Sequence, residues 1–74
     1  MGSAFVLVHT LPGKERDVMD RLGRLPQVTG RHHLFPGALA LKVECPRDAM
    51  DFTVDQLGRL DGVVTASTYQ ARNT

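Results

Sequence analysis

The chain has 74 residues, nine basic and eight acidic, for a formal net charge of +1 at pH 7, and it contains one cysteine. That length makes one small domain, residues 1–74, which buries only about 60% of its unfolded surface, and a lone cysteine cannot staple it. No basic stretch gives the footprint of a nucleic-acid binder, and the longest apolar run, residues 4–8, is far too short for a membrane span. Met1-Gly2-Ser3 lacks a basic n-region and a single thiol fits a reducing compartment, so a cytoplasmic protein that gains stability by self-association is expected.

In chain order, Ala4-Phe5-Val6-Leu7-Val8 is β-rich and predicts a first strand. Thr10-Leu11-Pro12-Gly13 predicts a turn into a helix, with Glu15, Asp17 and Asp20 early in it, where acidic groups complement the helix dipole. Val18, Leu22 and Leu25 follow i, i+4, i+7 and form its apolar stripe, Arg16, Asp20 and Arg24 lie opposite, and Pro26 stops it. Residues 28–35 predict a more polar strand. Phe35-Pro36-Gly37 predicts a hairpin turn with Gly37 at positive φ, and residues 38–43 predict a second apolar strand. Pro46 opens a second helix with the stripe Met50, Val54, Leu57 and Leu60, and Asp51, Asp55 and Arg59 face outward. This helix is expected to close at Asp61-Gly62, with Gly62 as a left-handed cap, and residues 63–70 predict the last strand.

The two halves, about 4–35 and 38–70, repeat one pattern. Leu22-Gly23-Arg24-Leu25 recurs as Leu57-Gly58-Arg59-Leu60, and around it Asp17-Val18-Met19-Asp20 aligns with Asp51-Phe52-Thr53-Val54, Pro12 with Pro46, and the strand residues 5–8 with 39–42. Gly23 and Gly58 each cost about 1 kcal/mol relative to alanine in a helix, so a close approach of helix to sheet is expected to favour them. The order β-α-β-β-α-β with right-handed crossovers gives an α+β, ferredoxin-like sandwich: a four-stranded antiparallel sheet with both helices on one face. The strands expected at its centre carry apolar residues on both faces, Phe5 and Leu7 alternating with Ala4, Val6 and Val8, and Leu39, Leu41 and Val43 alternating with Ala38 and Ala40. A sheet exposed on one side alternates apolar with polar residues instead. The open face is therefore expected to be covered by a second copy, as a homodimer or a higher homo-oligomer.

No catalytic set, metal site or cofactor is expected. His32 and His33 are neighbours in a strand and point to opposite faces, so they cannot share an ion. His9 and Cys45 stand near equivalent strand ends and are expected to be near one another, yet two ligands make no zinc site. Cys45 precedes the second helix, and without an evident base it reads as a helix-entry residue. Thr65, Ser67 and Thr68 form a polar cluster late in the chain, read equally as an ordinary edge strand or as hydroxyls lining a ligand pocket.

Ala4-Phe5-Val6-Leu7-Val8 followed by Pro12-Gly13-Lys14-Glu15 resembles the opening of the effector-binding domain of the Lrp/AsnC transcription regulators. Leu25-Pro26-x-Val28, and Leu60-x-Gly62-Val63 followed by Thr65-x-x-Thr68, resemble that domain's two helix-to-strand closures. The resemblance spans residues 4–71 and leaves no room for the family's N-terminal helix-turn-helix, so a stand-alone, non-enzymatic domain without direct nucleic-acid or membrane contact is expected. It implies dimers whose sheets face each other, often stacked into octamers, that bind an amino acid or a related small effector. Carried over, the ligand-binding positions are Pro36, Gly37, Ala38 and Leu39 at the turn, with Thr65, Ser67 and Thr68 in the last strand. Where the family has Gly-x-Tyr-Asp, this chain has Gly37-Ala38-Leu39-Ala40, which weighs against an amino acid and leaves the assembly surface untouched. The pattern is also similar to NapD, the cytoplasmic chaperone of periplasmic nitrate reductase, and the alternative it implies is binding of a twin-arginine signal peptide. Small ferredoxin-like monooxygenases are richer in aromatics than this chain, whose only ones are Phe5, Phe35, Phe52 and Tyr69.

Overall fold

The computed structural model describes residues 2–69; Gln70, placed in the last strand by the sequence pattern, lies outside them. The elements run β1 (Gly2–Thr10), α1 (Glu15–Leu22), β2 (Val28–Phe35), β3 (Ala38–Cys45), a 3-10 turn (Arg47–Ala49), α2 (Met50–Gly58) and β4 (Val63–Tyr69). The strands form one antiparallel sheet in the order β2-β3-β1-β4, so the two apolar strands are central and the fold is the ferredoxin-like sandwich.

Register settles which face each side chain takes. Val6 lies opposite Leu41 and Val8 opposite Leu39, and these four are fully or almost fully buried with Val43, Cys45, Val18, Leu22 and Leu57. The odd-numbered residues of β1 and the even-numbered residues of β3 therefore face away from the helices. The strand alignment drawn from sequence is off by one residue. It sets Val6 beside Ala40 and Leu7 beside Leu41, pairs from opposite faces, because a one-residue slip in a strand exchanges its two sides. Val6 with Leu41, Val8 with Val43, and Leu22 with Leu57, each 35 positions apart, keep the same side.

The repeat is structural as well. After α1, Arg24 N–H donates to Arg21, Leu25 to Leu22 and Val28 to Leu25; after α2, Arg59 donates to Gln56, Leu60 to Leu57 and Val63 to Leu60, all at 3.0–3.3 Å. Both helices thus tighten into the same run of i→i−3 turns before entering a strand. α2 ends at Gly58, earlier than Asp61-Gly62, since this run occupies the intervening residues. Gly62 does take positive φ, at 90°.

The reason expected for the two repeat glycines does not hold. A Cβ on Gly58 would make ordinary contact with Ala66 at 3.8 Å, and one on Gly23 would meet the guanidinium of Arg31 rather than the sheet. That guanidinium donates from Nη1 to the Met19 carbonyl at 2.6 Å, capping one of the orphan carbonyls at the end of α1.

Candidate functional site

On the open face, register arranges the side chains in rows across β2, β3, β1 and β4. One row is Phe35, Ala38, His9 and Thr65; the next is His32, Ala40, Leu7 and Ser67; the third has Gly30, Lys42 and Phe5. Neighbouring strands lie about 4.8 Å apart, so Ala38 and Thr65 are roughly 10 Å apart with His9 between them. Phe5 is 41% exposed and Phe35 57%, whereas Ala38 is fully buried. Phe5, Leu7, Ala38 and Ala40 form an apolar patch on the two central strands, with His9 at one end of it, Lys42 and Glu44, whose charges are 4.0 Å apart, towards the other, and Thr65 and Ser67 along β4.

Three turns meet at the other end. Thr10 N–H donates to the Gly37 carbonyl and Leu11 N–H to the Gly62 carbonyl, both at 2.9 Å. Gly37 has φ 88°, as the sequence predicts. Pro36 holds a negative φ, so this two-residue loop cannot be one of the primed turns whose twist matches a hairpin. The β2–β3 register shifts between His33 and Phe35, beside the turn, where the extra residue absorbs the mismatch.

The seven positions predicted from sequence do not share one surface. Pro36, Gly37, Ala38, Thr65 and Ser67 belong to the open face and the turn at its end. Leu39 is fully buried beneath the helices, and Thr68, opposite Val6, stands on the helix side. His9 occupies the row between Ala38 and Thr65 and was not among the predicted positions; its place follows from the pairing of β1 with both β3 and β4. His9 and Cys45 are not neighbours. Cys45 pairs with Gly2 at one end of the β1–β3 ladder and His9 with Ala38 at the other, because equivalent ends of antiparallel strands lie far apart. Cys45 is buried with its sulfur 3.7 Å from that of Met50.

His32 and His33 face opposite sides, opposite Ala40 and Leu39. His33 lines a shallow groove of about 350 Å³ with Glu15, Arg16, Met19 and Asp20 of α1. A second groove, about 340 Å³, runs between α2 and the end of α1, lined by Leu25, Val28, Phe52 and Leu57 among others. Among the described residues, no three His, Cys, Asp or Glu side chains come together as a metal site, and no helix is long and apolar enough to cross a membrane.

The architecture has a close counterpart among solved proteins. The crystal structure of FFRP-DM1 superposes with a TM-score of 0.84 at 31% sequence identity, over 97% of this chain and 100% of that one. The chain belongs to the feast/famine regulatory proteins, the Lrp/AsnC family. No family model matches it, and no curated protein does. Membership in the feast/famine proteins agrees with the family that the first strand, the Pro12-Gly13-Lys14-Glu15 turn and the two helix closures resemble. It also sets the chain beside a regulatory protein rather than an enzyme.

Proposed function

We propose that this chain is a non-catalytic assembly and effector-sensing domain of the feast/famine regulators, in which two copies pack open face to open face. The effector, a small amino-acid-like molecule, binds at the sheet end formed by Pro36, Gly37 and Ala38, with the hydroxyls of Thr65 and Ser67 as its polar contacts. Leu39 and Thr68 face the helix side and take no direct part.

The observation that carries this proposal is the apolar patch of Phe5, Leu7, Ala38 and Ala40 on a sheet face that, among the described residues, no helix covers. Burying a side chain such as Phe5 or Leu7 contributes about 2 kcal/mol, and part of that is unrealised while Phe5 remains 41% exposed. A second copy realises it and brings the Thr65–Ser67 margin of each chain to the border of the pair.

Light scattering on Ala40→Glu tests the assembly, because the substitution sets a carboxylate among Leu7, His32 and Ala38 with little effect on the core. Its mass should fall below that of the unmodified protein. Equal masses would remove the face-to-face packing. Calorimetry with free amino acids tests the site. Thr65→Val should weaken binding roughly tenfold, the value of one lost hydrogen bond to a buried polar group, whereas Thr68→Val should leave it unchanged. Binding of a twin-arginine peptide with none of the amino acids would replace the sensor by the chaperone.

A further inference from the structure

Among the described side chains of the open face, Lys42 and Glu44 on β3 carry a charge at neutral pH, and His9 on β1 and His32 on β2 can gain one. Continuous register fixes each of them on this side. His9 pairs with Ala38 and Thr65, His32 with Ala40, Lys42 with Phe5 and Glu44 with Ser3. Both imidazoles are exposed in the single chain. They border the apolar patch, His9 beyond Leu7 on the same strand and His32 beside Ala40. The third histidine, His33, pairs with Leu39 and belongs to the helix side.

Neither imidazole has a carboxylate beside it. His9 stands between Ala38 and Thr65, with Leu7 before it on its own strand. His32 has Ala40 across the ladder and Gly30 before it on β2, an edge strand with no neighbour on its far side among the described residues. Glu44 is four residues along β3 from Ala40, roughly 13 Å at about 3.3 Å per residue. That is more than the screening length of about 8 Å at physiological salt, and Glu44 already has Lys42 at 4.0 Å. The described part of the face is therefore neutral in sum while both imidazoles are neutral. It carries two net positive charges once they are protonated.

We propose, on the footing of the face-to-face packing above, that His9 and His32 make that packing a pH switch, closed above about pH 7 and opened by acid. Imidazole takes up a proton near pH 6.5 in water. A second copy laid on the open face removes water from both imidazoles of each chain, and burial without a counter-ion disfavours the charged form. The second copy also brings the same two histidines, so four imidazolium groups would share one interface with no unpaired carboxylate among the described residues. The separated chains then bind more protons than the packed pair. Packing is accordingly at full strength above the imidazole range and is lost as pH falls through it. Each histidine that must stay neutral weakens association by up to about tenfold per pH unit below that range. His33 differs, since it lies by Glu15, Arg16 and Asp20 in the groove on the helix side, away from the packed face.

Light scattering of the full chain at about pH 8, 7 and 5.5 tests the switch, with far-UV circular dichroism to confirm folding at each pH. At constant protein concentration the mass should fall between about pH 7 and 5.5 while the spectrum stays the same. His9→Gln with His32→Gln keeps the polarity and removes the titration, so the double variant should hold its pH 8 mass at pH 5.5. Each single variant should fall less steeply than the unmodified protein, and His33→Gln should fall as steeply. Ala40→Glu at about pH 8 reads the packing alone, since imidazoles are neutral there. A mass that Ala40→Glu lowers but acid leaves unchanged overturns the switch and keeps the packing. A fall with acid that survives in the double variant also overturns it, because the protons then act elsewhere. A mass that Ala40→Glu does not lower removes the packing, and the switch with it.

Discussion

The first half of the chain anchors its helix with two fully buried side chains, Val18 and Leu22, and the second half anchors its own with one, Leu57. Thirty-five residues after Val18 stands Thr53, which is only half-buried and whose hydroxyl donates to the Ala49 carbonyl at 2.8 Å. Such a back-bond satisfies the hydroxyl inside its own helix but adds nothing to the core. Beside the repeat glycines the exchange runs the other way. The first half fills the space with the Arg31 guanidinium and gains a helix cap, whereas the second fills it with the Ala66 methyl. One backbone plan therefore tolerates a core-anchored helix and a more weakly anchored one in the same molecule. The weaker helix, α2, is the one that packs over β1 and β4.

That asymmetry is open to direct test. Leu57→Ala and Leu22→Ala should each cost about 3 kcal/mol, as buried leucine truncations do, read as a fall in melting temperature. Leu57→Ala should in addition speed amide exchange across residues 50–58 more than Leu22→Ala does across 15–22, since α2 has no second fully buried residue. Equal exchange in the two helices would erase the distinction. Gly62→Ala should cost about 2 kcal/mol, because φ is 90° there and the new Cβ would stand 3.0 Å from Val18 and 3.1 Å from Lys14. Gln27, 35 positions earlier, has no positive φ, so Gln27→Ala should be close to neutral in the same denaturation assay. The smallest contrast lies at the repeat glycines. Gly58→Ala should stabilise by about 0.5–1 kcal/mol through helix propensity. Gly23→Ala should gain less than that, because the new methyl displaces Arg31 from the Met19 carbonyl, and combining it with Arg31→Ala should add little further loss.

Much of this was legible in the residues. Apolar spacing at i, i+4, i+7, proline stops and the Pro36-Gly37 turn were enough to order the elements, because each is a local rule. The orientation of the central strands was not, since Phe5 and Leu7 are as apolar as Val6 and Val8, and a period-two pattern with both phases apolar carries no sign. The same ambiguity runs through the candidate site. Ala38 and Leu39 are adjacent in the sequence, as are Ser67 and Thr68, yet consecutive strand residues part to opposite faces. Nothing local sets His9 beside the predicted positions, because its neighbours come from β3 and β4, which only the sheet order brings to it. The distance between His9 and Cys45 was lost for a related reason: strand ends equivalent in sequence are opposite in space once the strands run antiparallel.

The 35-residue correspondence also bears on where the chain can be opened. β2 passes to β3 through Pro36-Gly37, and β4 lies antiparallel to β1, with Tyr69 opposite Phe5. A chain cut between Pro36 and Gly37 and rejoined by a linker from Tyr69 to Gly2 would keep the whole of β1 and meet every strand in the same neighbourhood. Such a circular permutant, beginning with the second half, should fold to the same circular dichroism spectrum. Its order of assembly should invert, with the weakly anchored helix now made first.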